Sequence, residues 1–142
     1  RDLGATHGIN YRTNDFVAVV QANGGADVIL DMIGGDYIQR NIEAANLNGR
    51  ICNIDFQDGF EATVNFGPVL VKRLILTATT LRARTSGEKR AIRDAVQSQF
   101  WDDVTSGAIR PVLDTAFPME QAEQAHQRLE TGGHIGKIVL TR

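Results

Sequence analysis

Hydrophobic positions along this chain alternate between two kinds of spacing. Short apolar runs bounded by glycine or asparagine alternate with longer stretches whose apolar residues recur every three or four positions. His7 to Tyr11 predicts a short strand. Thr13 to Ala22 predicts a helix capped by Thr13 or Asn14, with Phe16, Val17 and Val20 on one face. After Gly24-Gly25, the run Ala26 to Met32 (ADVILDM) predicts a strand buried on both faces. Gly34-Gly35 leads into a helix to about Asn46, Asn48-Gly49 reads as a turn, and Arg50 to Ile54 (RICNI) as the next strand. Phe56 to Asn65 has no period. Pro68 opens a short helix ending near Arg73, and the β-branched run Leu74 to Leu81 predicts a strand. Ser86 to Ser106 predicts a long helix stopped by Gly107. Val112 to Phe117, Met119 to Glu130 and Lys137 to Thr141 predict strand, helix and strand.

Strands that alternate with helices imply βαβ crossovers and a mostly parallel sheet covered by helices. No repeat, low-complexity stretch or linker interrupts the pattern, so the expectation is one doubly wound α/β unit. Arg1 to Leu3 followed by Gly4 reads as the last turn of a helix and its terminating glycine, with no initiator Met before it. That pattern raises the expectation of further chain upstream.

Composition narrows the function classes. The 142 residues carry a net charge of −2, which argues against nucleic acid or a membrane surface as main partner. No apolar run approaches the roughly 20 residues of a membrane helix. Cys52 is the only cysteine, which fits a reducing cytoplasm, and one cysteine with His7, His126 and His134 does not make a zinc set. Cys52 reads as an inert thiol in a buried strand, and His126 as structural. Lys72, Arg73, Arg82, Arg84, Lys89, Arg90 and Arg93 read as a solvated basic face.

Ligands of open α/β sheets sit beyond the C-terminal ends of strands. Three loops occupy such places: Tyr11-Arg12, Ile33-Gly34-Gly35 and Asp55-Phe56-Gln57. They could line one crevice. Gly34-Gly35 either lets backbone approach a ligand or only makes a tight turn. Asp31 could orient that turn or bond a ribose hydroxyl. A G-x-G-x-x-G phosphate loop is absent from the sequence.

Four ordered segments carry a resemblance: Leu3 to Phe16 (LGATHGINYRTNDF), Asp27 to Ile54 (DVILDMIGGDYIQRNIEAANLNGRICNI), Thr80 to Arg84 (TLRAR) and Ala125 to Leu140 (AHQRLETGGHIGKIVL). Together they resemble the medium-chain dehydrogenase/reductases, in particular the zeta-crystallin-like quinone oxidoreductases. The resemblance implies a Rossmann-like fold cut upstream of its early strands and glycine-rich loop. Residues 1–142 would then be the later part of an NADPH-binding domain plus the family's C-terminal segment, without the GroES-like catalytic domain. It implies a parent enzyme that passes hydride from NADPH to a quinone or another small electrophile, and a fragment inactive alone. A truncated, non-catalytic dimerisation module and a zinc-free enoyl reductase are the alternatives.

By the same resemblance, Tyr11 packs near the adenosine 2′-phosphate, and Met32, Ile33 and Gly34 border the nucleotide. Ile54, Asp55 and Phe56 reach the nicotinamide, and Gly133, His134 and Lys137 close over the cofactor. Where close relatives often carry an aromatic residue and glycine, this chain has Ile54 and Asp55. No catalytic acid or base is implied within the chain. The strand Leu74 to Leu81 is implied to pair with its symmetry mate in a homodimer.

Overall fold

The computed structural model describes residues 4–142. The elements are α1 (Phe16–Ala22), β1 (Ala26–Asp31), α2 (Tyr37–Ala44), β2 (Ala45–Asn53), α3 (Gly67–Lys72), β3 (Ile75–Ala78), α4 (Ser86–Thr105), β4 (Leu113–Pro118), a 3₁₀ turn (Met119–Gln121), α5 (Ala122–Glu130) and β5 (Lys137–Thr141). All strand pairing is parallel, as the strand–helix alternation predicts. The chain divides into two compact units, Arg1–Arg84 and Thr85–Arg142. Each unit has its own sheet, of order β1-β2-β3 in the first and β4-β5 in the second. The reading of Arg1 to Leu3 as a helix end lies outside the described residues.

In the first unit, α2 follows the glycine turn and lays Ile42 on the sheet, where it is fully buried with Ala45 and Ile51. Ile29, Ile38, Val64, Val69 and Leu74 surround that cluster, so α2, α3 and the sheet share one small core. The other face of the sheet is bare. Side chains alternate along a strand, and in β1 the inward Ile29 and Asp31 alternate with Val28 and Leu30, which are 71% and 65% exposed. The expected burial of this strand on both faces is therefore corrected, because only one face has helices against it. Cys52 pairs in register with Leu30 and Thr77 and is half-buried rather than a core thiol.

Other differences have local causes. His7 to Tyr11 forms no strand, since no described segment offers it a ladder partner. Residues 10–14 instead make a turn in which the Thr13 and Asn14 N–H groups donate to the Asn10 carbonyl. The cap of α1 is Asp15, not Thr13 or Asn14; its carboxylate accepts from the Val17 N–H at 3.1 Å. Asn48, at a φ of 60°, and Gly49 lie within β2 as an irregularity opposite the β1 register shift rather than as a turn between elements. The strand predicted over Leu74 to Leu81 is shorter, Ile75–Ala78, and Met119 to Glu130 begins as a 3₁₀ turn.

Lys72 departs most from its expected place on a solvated basic face. Its Nζ donates to the carbonyls of Ile42, Glu43 and Ala45 at 3.1, 2.8 and 2.8 Å. The last carbonyls of a helix lack intrahelical partners and carry partial negative charge. Lys72 closes the end of α2 and ties α3 to it.

In the second unit, α4 starts at a reciprocal capping box between Thr85 and Glu88. Its Ile92, Val96, Phe100 and Val104, four apart, form an exposed apolar stripe. The β4–α5–β5 crossover is held by Asp114, whose carboxylate accepts from Arg128 at 3.1 and 3.2 Å, the Thr115 hydroxyl at 2.7 Å and the Ile135 N–H at 3.1 Å. Gly136 permits the adjoining turn: at a φ of +94° any Cβ would strike the Val112 carbonyl, which accepts from the Lys137 N–H.

The Arg128 guanidinium, then the Thr115 hydroxyl and the Ile135 N–H, lower the Asp114 carboxyl from 3.8 to about 2. Because the folded value lies below the unfolded one, the contribution to stability is complete above pH 3.8 and is lost as pH falls towards 2. Asp114→Asn is expected to lower stability at neutral pH and to flatten the acid limb over that window. Urea midpoints of the second unit at a series of pH values check this; an acid limb unchanged by the substitution contradicts it.

Candidate functional site

The C-terminal ends of β1 and β2 lie side by side, and one buried carboxylate organises both. Asp31, at 5% exposure, accepts from the Ile33 N–H at 2.7 Å, the Gly34 N–H at 3.3 Å and the Asn53 side-chain amide at 2.7 Å. A buried carboxylate needs such donors to offset its lost hydration. Of the two roles open to Asp31, the geometry is that of turn orientation. Beyond the strands the pairing continues: the N–H groups of Ile54, Gln57 and Asp58 donate to the carbonyls of Asp31, Met32 and Ile33 at 2.8, 3.1 and 2.7 Å.

This zipper gives Gly34 its function in the fold. Its φ is +72°, and a Cβ there would lie 2.6 Å from the Phe56 ring and 2.7 Å from the Gly59 carbonyl oxygen. The space left by the missing side chain is filled by the 56–59 loop. Gly34 is buried and makes a tight turn, the second of the two roles its sequence allows.

A cavity of about 470 Å³ opens beside the zipper, lined by Tyr11, Phe16, Ile33, Tyr37, Gln57 and Asp58. It brings together members of all three strand-end loops picked out in the sequence. Tyr11 is exposed, and the Arg12 guanidinium lies 5.9 Å from its ring centroid. Met32 and Ile54 are exposed nearby in the chain but do not line the cavity. Asp55 accepts from the Phe56 N–H at 2.9 Å and so shapes its own loop.

Sequence reasoning missed the aromatic wall. Phe16 and Tyr37, the first residues of α1 and α2, stack at 5.3 Å with planes 12° apart. The Arg40 guanidinium sits 4.3 Å from the Phe16 centroid and 5.1 Å from the Tyr37 centroid, held by Asp15 at 3.1 Å. An aromatic opening each helix after a strand-end loop was the available signal.

Gly133, His134 and Lys137 belong to the second unit. There His134 and Lys137 line a separate cavity of about 270 Å³ with His126. The Gly133 carbonyl accepts from Arg128 at 3.3 Å. Among the described residues, no group of three or more His, Cys, Asp or Glu could hold a metal ion, and no helix is long and apolar enough to cross a membrane.

A family profile described as "Zinc-binding dehydrogenase" matches residues 3–140. The 2-haloacrylate reductase of a Burkholderia species is 29% identical over 99% of this chain and 43% of its own length. The rat quinone oxidoreductase is 21% identical over 96% of this chain and 41% of its own. The solved quinone oxidoreductase from Thermus thermophilus, studied also in complex with NADPH, superposes with a TM-score of 0.82 at 21% identity, over 99% of this chain and 44% of that one. At that identity the likeness shows the fold, the Rossmann-like α/β part of these enzymes. The chain spans less than half the length of these relatives and belongs to the zinc-binding dehydrogenase family. The described residues hold no donor set that fits zinc.

Asp31→Ala is expected to leave the Ile33, Gly34 and Asn53 donors without their acceptor and to cost about 1–3 kcal/mol of stability. Urea unfolding of the first unit measures it. A loss indistinguishable from that of an exposed Asp→Ala control would show that the carboxylate does not hold the turn.

Proposed function

We propose that this member of the zinc-binding dehydrogenase family forms one wall of the NADPH site of a reductase acting on quinones or activated alkenes. The observation that carries the reading is the cavity of the first unit, where the loops after β1 and β2 meet the Tyr11 turn beside an aromatic wall. Ligand sites of open parallel sheets occur at such ends. Family membership and the relatives named 2-haloacrylate reductase and quinone oxidoreductase support the reaction class. A 2-haloacrylate is an electron-poor alkene, and a quinone is its ring counterpart as a hydride acceptor.

The cavity fits the adenosine end of such a cofactor. Its flat apolar surfaces, Phe16, Tyr37 and Ile33, suit a purine, and the exposed Tyr11 hydroxyl can donate to a 2′-phosphate oxygen. When bound, the nicotinamide supplies the hydride, and the protein around it supplies orientation and electrostatics. Met32, Ile33 and Gly34 shape the nucleotide side, and Ile54, Asp55 and Phe56 the loop beyond β2. Gly133, His134 and Lys137 carry no part of this reading. The bare sheet face at Val28 and Leu30 and the exposed stripe on α4 suit burial against the further length that relatives possess.

Adenosine 2′,5′-bisphosphate is the direct probe, because it carries the 2′-phosphate without the nicotinamide. It is expected to shift the ring signals of Tyr11 and Tyr37 saturably, with adenosine 5′-phosphate weaker. Tyr11→Phe is expected to weaken binding about fivefold, the value of one hydrogen bond of about 1 kcal/mol. Equal affinity for the two nucleotides would refute the NADPH preference, and no binding of either at tens of millimolar would refute the cofactor wall.

The second element of the reading is a homodimer. β3 pairs with β2 on one side, no described strand pairs with its other edge, and all four of its residues are exposed. Such an edge is a template for an identical strand. Light scattering of the intact chain is expected to give a dimer mass, and a monomer at every concentration tested would contradict it.

A further inference from the structure

The second unit holds a cavity that the cofactor reading does not use. It lies between α5 and β5, and its polar lining consists of His126, His134 and Lys137. No acidic residue lines it. Leu129, Ile138 and Leu140 supply apolar surface beside those groups. The side chain of Lys137 makes no ion pair with any described residue, while the neighbouring Arg128 is fully engaged by Asp114.

One of the lining side chains carries an unsatisfied atom. The Nδ1 of His134 is shut off from solvent at the protein surface and has no hydrogen-bond partner. Buried polar groups are nearly always paired, and leaving one unpaired costs about 1–3 kcal/mol. The volume, about 270 Å³, has room for a molecule of several heavy atoms.

We propose that this cavity binds a small carboxylate with a short apolar body. The carboxylate meets the Lys137 ammonium and the imidazole N–H groups of His126 and His134, and the hydrocarbon lies on Leu129, Ile138 and Leu140. A lysine and two ring donors converging without a competing acid match a monoanion. The apolar surface opposes a fully hydrated polyanion such as pyrophosphate. The inference stands independently of the nucleotide wall, which is built from residues of the first unit.

Butyrate is the probe, with n-butanol and inorganic pyrophosphate as controls, followed on the histidine ring signals of the whole chain. His7 lies in the first unit and acts as an internal reference. His126→Gln and His134→Gln assign the other two signals. Butyrate is expected to shift His126 and His134 saturably at low-millimolar concentration and to leave His7 in place, while butanol moves none of them. Lys137→Met is expected to weaken binding about fivefold or more by removing the charge-assisted contact. Linear shifts shared by all three histidines would overturn the proposal, as would saturation by pyrophosphate without saturation by butyrate. Should Lys137→Met fail to fold, the comparison of butyrate with butanol on the unaltered chain decides.

Discussion

The first unit depends on what happens to one carboxylate at the end of β1. Asp31 is buried, and ionised oxygens in that position must be met by donors or the strand end is unfavourable. The donors come from the two places that matter: the backbone of the Ile33-Gly34 turn and the side chain of Asn53 at the end of β2. The carboxylate thereby fixes how β1 leaves the sheet and aligns β2 beside it. The zipper between residues 31–33 and 54–58 follows from that alignment, and the 56–59 loop then occupies the room above Gly34. Ile33, Gln57 and Asp58 reach the cavity because of this arrangement.

A second constraint is that the sheet is covered on one side only. The run ADVILD has the composition of a parallel strand buried on both faces, and in sequence nothing distinguishes its covered residues from its bare ones. Ile29 reaches the core of α2 and α3, whereas Val28 and Leu30, equally apolar, meet solvent. Burial on a second face depends on a partner element, and partners are not encoded in the local pattern. The same holds for His7 to Tyr11, whose composition allows a strand but whose ladder partner is absent among the described residues. Helices were more legible because their bonds are internal: the span Ser86 to Ser106 with its Gly107 stop matches α4, and the structure adds the Thr85 and Glu88 capping box that starts it.

The candidate site was legible in its backbone and obscure in its walls. Loops between elements can be located from the alternation of periods, so the sequence alone groups Tyr11, Ile33 and Gln57. The stack of Phe16 on Tyr37, clamped by Arg40 and Asp15, joins residues distant in sequence and depends on the packing of α1 against α2. Gly34 shows the reverse case. Its position in a strand-end loop allows either ligand approach or a tight turn, and the neighbouring loop takes the space a side chain would fill. A glycine in such a place identifies a close approach without saying what approaches. Lys72 teaches the same lesson for charge, since a cation in a basic stretch turned out to close the carbonyl end of α2.

Asp31 and His134 together give a rule for separating structural polar groups from available ones. The Asp31 acceptors are saturated by protein donors, and adding a ligand there would displace bonds on which the turn depends. Asp114 is saturated in the same way by Arg128, Thr115 and Ile135. His134 Nδ1, by contrast, is buried without any partner on a side chain that lines a cavity. The other buried orphan among the described residues, Asn41 Nδ2, lines neither of the two cavities described. Ligand chemistry therefore falls where the protein's own hydrogen bonds stop short. In the proposed reading that is beside Lys137 in the second unit, and in the first it is the exposed Tyr11 hydroxyl rather than the buried carboxylate that positions the wall behind it.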